Sequence, residues 1–149
     1  MKDKVLEAQI NERKQLIIDA GQKIKYNRQG IYGIYAAGQL VYVGKSTDML
    51  HRVASHILAI DGIGKDAVSN KYKLLAKAKE SGLRVSFDVL EYIDGTKEDL
   101  DRAEAKWIRQ ELPILNTQIP KLASNGYYTN KKVKNMTYEE FEKLLGTSL

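Results

Sequence analysis

Six residues, in order along the chain, have the types needed for phosphoryl chemistry. Gly30-Ile31-Tyr32 is followed ten residues later by Tyr42-Val43-Gly44, and then by Arg52, His56, Glu104 and Asn116. Together they offer a base, a phosphate clamp and a metal ligand, in an order that suits cutting a phosphodiester. An arginine beside an apolar face can clamp a phosphate through two hydrogen bonds. Glu104 lies within the apolar stripe of Leu100, Ala103, Trp107 and Ile108. A carboxylate there is costly unless it is paired or bound to a cation, and a salt bridge to a nearby Lys or Arg satisfies it as well as a metal does. His56 alone is equally a satisfied structural histidine. Tyr32 and Tyr42 are two of nine tyrosines, and tyrosine is a good strand former. No single residue carries the reading.

The elements that must position these residues follow from hydropathy and turn chemistry. Residues 3–25 predict a helix with Leu6, Ile10, Ile17 and Ile24 along one stripe, either packed on the core or serving as an arm for a homodimer. Residues 30–36 and 39–43 predict two strands joined by a tight Ala37-Gly38 turn. Alternation puts Tyr32 and Ile34 on one face, with Ile31, Gly33 and Tyr35 on the other. Gly44-Lys45-Ser46-Thr47 is expected to turn the chain into a helix of about 48–60, capped by Thr47 or Asp48, with Gly44 kept small by that sharp turn. Met49, Val53, Ile57 and Ile60 form its apolar stripe, and Arg52 and His56 stack on its flank. Asp61-Gly62-Ile63-Gly64 breaks it. A second helix spans 69–80, a strand 83–92 and a third helix 97–111, halted by Pro113. Residues 117–136 read as an irregular basic segment, and Thr137–Glu140 as the capping box of a last short helix.

The whole chain has 149 residues, of which 43 % are apolar, enough for one domain with short arms. There are 24 Lys and Arg against 19 Asp and Glu, a net charge of +5. That balance suits a polyanionic partner, and also many mildly basic soluble proteins. The absence of cysteine excludes disulfides, thiolate zinc sites and cysteine nucleophiles. Nothing resembles a signal peptide or a membrane span, so an intracellular, cytoplasmic protein without membrane contact is expected. Gly44-Lys45-Ser46 imitates the end of a phosphate-binding P-loop, but Gln39 stands where that motif needs its first glycine. No nucleotide cofactor is expected.

In combination, Gly30-Ile31-Tyr32, Tyr42-Val43-Gly44-Lys45, Arg52, Glu104-Ala105-Lys106-Trp107-Ile108 and Pro113-Ile114-Leu115-Asn116 resemble the GIY-YIG nuclease superfamily. The resemblance covers about residues 30–120. Residues 30–120 would thus be a nuclease domain, while 1–29, read as an N-terminal helical arm, and 121–149, read as a basic tail with a short C-terminal helix, lie outside the resemblance. The resemblance implies an α+β fold of α/β/α type, with a small three-stranded antiparallel sheet flanked by helices. It also implies hydrolysis of double-stranded DNA with one divalent metal, Mg²⁺ or Mn²⁺. Glu104 would hold the metal. Tyr32 would take the proton of the attacking water or hold that water. Tyr42 and Arg52 would position and neutralise the scissile phosphate, with Lys45 as a second phosphate contact. His56 would support Tyr32, and Asn116 would fix local geometry or touch a phosphate. A frame built on Tyr35 leaves too few residues before Tyr42 for two strands and a turn. For DNA engagement the insert of about 61–80 is favoured, with Lys71, Lys73 and Lys77 as its phosphate-seeking face. An ordinary solvated helix is the alternative, and Lys131, Lys132 and Lys134 come next. The rival functional reading is a DNA-binding module whose nuclease site is inactive.

Overall fold

Ala37 and Gly38 both take positive φ, 52° and 81°, the pair of left-handed residues that a two-residue type I′ hairpin turn demands. They join β1 (Gly30–Ala36) to β2 (Gln39–Ser46) in an antiparallel pair. The computed structural model describes residues 4–19, 28–121 and 126–146. A third strand, β3 (Val85–Tyr92), pairs with the other edge of β1, giving the order β2-β1-β3, all antiparallel. β1 is therefore central and buried on both faces, as its run of Ile and Tyr residues requires.

Helices cover both faces. α1 (Lys4–Asp19), α2 (Met49–Ile60), α3 (Asn70–Glu80) and α6 (Tyr138–Gly146) supply the larger core, built with Tyr32, Ile34, Ala36 and Val41. α4 (Lys97–Glu111) closes the opposite face with Leu100 and Ile108 against Ile31 and Val43. There the Trp107 indole N–H also donates to Glu91 at 2.8 Å. The fold is thus α+β, with helical layers about a three-stranded sheet.

A bulge shapes the site strand. Tyr42 pairs with Ile34 but Leu40 with Tyr35, so Val41 is the extra residue. Val41 and Tyr42 consequently pack toward the same core, while Leu40 and Val43 turn to the other. Strict alternation would separate Tyr42 from Val41; the bulge re-aims it toward the layer that holds Tyr32.

Some expected boundaries move. β2 continues to Ser46 instead of turning at Gly44. Gly44 is small for a different reason: it lies opposite Tyr32, and a Cβ there would collide with the Tyr32 ring and hydroxyl. Asp48, not Thr47, caps α2, its carboxylate accepting the His51 N–H at 3.2 Å. α4 begins with a Thr96/Asp99 capping box and ends at Leu112 in the left-handed region, φ 45°. Within 117–136, read as irregular, β4 (Gln118–Pro120) and β5 (Tyr127–Thr129) pair antiparallel and α5 (Lys132–Asn135) follows, while 122–125 lie outside the described residues. The Thr137–Glu140 capping box forms as expected. Of the N-terminal helix, Lys4–Asp19 is helical; 20–25, with Ile24, lies outside the described residues. Ile17 on one flank of 30–120 and Val133, Met136, Phe141 and Leu145 on the other join the larger core. No helix among the described residues is long and apolar enough to cross a membrane.

Candidate active site

β1 and α2 bring the first pair together. The Tyr32 hydroxyl lies 2.6 Å from His56 Nε2, and on the far side of the ring His56 Nδ1 lies 2.7 Å from the Tyr72 hydroxyl. Both nitrogens of a fully buried imidazole are thereby satisfied. Burial pushes the His56 pKa down to about 2, and the nearby charges of Lys71 and Arg52 add to the effect. His56 is thus a neutral bridge between two phenols, one donating to it and one accepting from it.

Burial also raises the Tyr32 pKa strongly, and Tyr42 adds to this; Arg52 pulls the other way without winning. Tyr42 is raised too, first by burial, with Arg52 opposing and Glu104 reinforcing. Tyr72 is pushed up to about 12 by burial, against Arg52. All three phenols are held protonated. Their rings pack about His56, with centroids 5.4, 5.8 and 5.7 Å from it for Tyr32, Tyr42 and Tyr72.

Two cations complete this side. Arg52 projects from α2. Lys71 Nζ lies 4.2 Å from the Tyr42 ring centroid and 4.6 Å from that of Tyr72, within cation–π range. Burial first, and then the charge of Arg52, lower the Lys71 pKa to about 8, with Asp66 only partly offsetting them. Neither Arg52 nor Lys71 forms an ion pair among the described residues. Half-buried cations without carboxylate partners are costly. Here they stand beside protonated phenols, which makes the spot a ready receptor for an anion.

The sheet edge links this layer to the other. β2 is an edge strand, and its outer groups are met by Leu115 and Asn116. Leu115 N–H donates to Val41 O at 2.8 Å. Asn116 Oδ1 accepts the Val43 N–H and its Nδ2 donates to Val43 O, both at 2.9 Å. Asn116 thus behaves as a one-residue strand, holding β2 straight between Tyr42 and Gly44. On the α4 side, Lys45 bonds the Asp101 carboxylate and lies 3.9 Å from Glu104 Oε1. Burial raises the Glu104 pKa, Lys45 opposes, and Asp101 adds to the rise. The hydrogen bond to Asp101 raises Lys45, against burial, so it stays charged.

No family model matches the chain, and no curated protein matches it. Among solved structures it is similar to EndoII of bacteriophage T4, solved as a point mutant. The identity is 28 %, the match covers 62 % of this chain and 74 % of that one, and the TM-score is 0.46.

The residues singled out from sequence divide by where the structure puts them. Tyr32, Tyr42, Arg52, His56 and Lys71 converge on one spot. Glu104 stands across the β2 edge, close enough for its charge to act on Tyr42. Lys45 engages carboxylates, and both ends of the Asn116 amide meet backbone. Lys73 is exposed on a neighbouring groove, whereas Lys77 turns onto the Tyr138 ring at 5.6 Å. Tyr35 faces away, near Asp88 and Glu111. Two partners were missed: Tyr72, which nothing in its spacing betrays, and Asp101, one turn before Glu104 and legible as a second acid on that helix face. Among the described residues no group of three or more His, Cys, Asp or Glu could hold a metal ion. Glu104, with Asp101 beside it, still presents hard oxygens. That set could hold a cation of the Mg²⁺ class, which keeps most of its own waters.

Proposed function

We propose that the protein is a metal-dependent DNA endonuclease of the GIY-YIG type, hydrolysing phosphodiester bonds at the junction of Tyr32, Tyr42, Arg52 and Lys71. What supports this reading is a cation couple with no ion-pair partner among the described residues: Arg52, hydrogen-bonded to Tyr32, and Lys71 stand against protonated phenols on one side of β2, with Glu104 on the other. A phosphate supplies the missing anion. Arg52 offers a planar fork to two phosphate oxygens and opposes the charge that grows on the transferring group. Tyr42, half-buried beneath Lys71, orients the phosphate.

Hydrolysis adds the oxygen of water to phosphorus and breaks the bond to one sugar oxygen. A phosphate monoester and a free hydroxyl remain, and the proton lost by water ends on the leaving oxygen or in solvent. Tyr32 is kept protonated by burial, so in the resting site it orients this water through its hydroxyl. His56 fixes that hydroxyl and Tyr72 fixes His56. A divalent cation held by Glu104, with Asp101 nearby, would supply Lewis-acid stabilisation of the leaving oxygen. Lys45 keeps the two carboxylates from repelling each other.

The test is nicking of supercoiled plasmid in Mg²⁺, with and without EDTA, by wild-type protein and by Glu104→Gln. We expect wild type to nick only with the metal. Glu104→Gln should lose at least about a hundredfold in rate, as expected when a principal stabilising group is removed, yet still bind DNA. Binding without cleavage by wild type, in either Mg²⁺ or Mn²⁺, would leave a DNA-binding module with an inactive site.

A further inference from the structure

Beside the site runs a groove of about 960 Å³. Tyr42 closes its inner end. Lys71 and Lys73, from the first turn of α3, line one wall; Lys131 and Lys134, flanking and within α5, line the other. Among the described residues no Asp or Glu lines it, although the chain carries 19 of them against 24 Lys and Arg. Such local segregation of sign is not what a randomly mixed basic surface gives. The groove shares Lys71 and Ser69 with a smaller hollow of about 350 Å³ that contains Arg52. Arg52, Lys65 and Lys71 line that hollow together with one acid, Asp66, so a net positive lining leads from Arg52 to the groove.

The far wall is built into the fold. Val133 and Met136 are 2 % and 8 % exposed and belong to the larger core. Asn70, the first residue of α3, donates through Nδ2 to Val133 O at 2.6 Å and Met136 O at 2.9 Å, binding the two walls together. Asn130 N–H donates to Thr117 O at 2.6 Å, carrying the β4–β5 pairing one residue further. None of these bonds uses a lysine side chain; Lys71 lies over the Tyr42 and Tyr72 rings, and no ion pair among the described residues engages Lys73, Lys131 or Lys134.

We infer that this groove holds the sugar–phosphate backbone of the DNA strand flanking the cleaved bond, with residues 117–118 and 129–135 as its outer wall. The inference rests on the nuclease reading and extends it. Lysine ammonium groups take phosphates as point charges and read no base, so the groove grips DNA irrespective of sequence.

The experiment measures affinity for a short labelled duplex in EDTA, where no cleavage occurs, from 50 to 200 mM salt. It compares wild type, Lys131→Gln/Lys134→Gln, and Lys4→Gln/Lys97→Gln, a pair outside the groove that removes the same charge. The groove pair should weaken binding up to about eightfold per lysine at 0.1 M salt and flatten the log–log salt slope by about 0.9 for each phosphate no longer neutralised. The control pair should change affinity less than twofold. Thermal melting of each variant should match wild type, which separates a weaker grip on DNA from a damaged fold. A groove pair that keeps wild-type affinity and slope, in a protein that binds and nicks DNA, overturns the groove and spares the nuclease reading. Equal losses in both pairs also overturn it, by showing only a response to net charge. A wild-type protein that neither binds nor nicks DNA overturns both.

Discussion

Replacing Lys71 with methionine should make the protein more stable and, on the proposed function, slower to nick DNA. The displacement of the Lys71 pKa from 10.5 to about 8 amounts to about 3 kcal/mol against the charged form. Methionine keeps the straight apolar stem and removes the charge. It also forfeits the two ring interactions, worth about 0.5–1 kcal/mol each. The balance is a gain of roughly 2 kcal/mol at pH 7, or about 4–8 °C in melting temperature for a chain of this size. The sign with pH is fixed. The folded pKa is depressed, so the unfolded chain binds more protons between about 8 and 10.5, and wild-type stability rises with pH across that window. The advantage of Lys71→Met is thus complete below about pH 8 and fades as pH approaches 10.5. Thermal melts of both proteins at pH 7 and pH 10 test this, with plasmid nicking at pH 7 as the functional arm. A variant no more stable than wild type at pH 7, or one whose advantage is as large at pH 10, would refute the unpaired-cation argument.

Tyr32→Phe should slow nicking at least tenfold and cost about 1–3 kcal/mol in melts, because it strands a buried His56 nitrogen; Tyr35→Phe should change neither, and equal losses in both would show that the wrong tyrosine was assigned. Gly44→Ala places a methyl group on the Tyr32 ring and should destabilise by about 1–3 kcal/mol while sharply reducing nicking; a variant with wild-type melting and rate would mean the ring is not held there. Arg52→Lys retains charge but loses the fork, so nicking should fall at least tenfold with little change in melting temperature; unchanged turnover would remove Arg52 from the site.

What was legible in the sequence was local. The Ala37-Gly38 turn, the strands beside it and the limits of α4 depend on neighbours in the chain, and the structure has them as expected. The neighbourhood of Glu104 was legible in part: an acid on an apolar stripe needs a cation, and Lys45 is there. What was not legible depends on packing across the fold. Gly44 resembles a turn glycine until the Tyr32 ring is placed over it. The Val41 bulge leaves no trace in alternation, yet it decides which way Tyr42 points. β4 and β5 have three residues each, too few for any periodicity to show. The lysine row on α3 was divided by geometry: the groove meets only the first turn of the helix, so Lys71 and Lys73 reach it while Lys77 lies against α6.

Trp107 is the chain's single tryptophan, and it is bonded to Glu91 across the interface between α4 and the sheet. Its emission therefore reports on one helical layer only. The other layer, rich in tyrosine, is silent when excitation is confined to the indole band. Glu104 lies one turn before Trp107 on the same helix, so the dye native to this protein is next to the carboxylate proposed to hold the cation. A titration with Mg²⁺ or Mn²⁺ can be followed without a label, and loosening of α4 can be timed separately from loss of the layer that carries Tyr32, His56 and Tyr72.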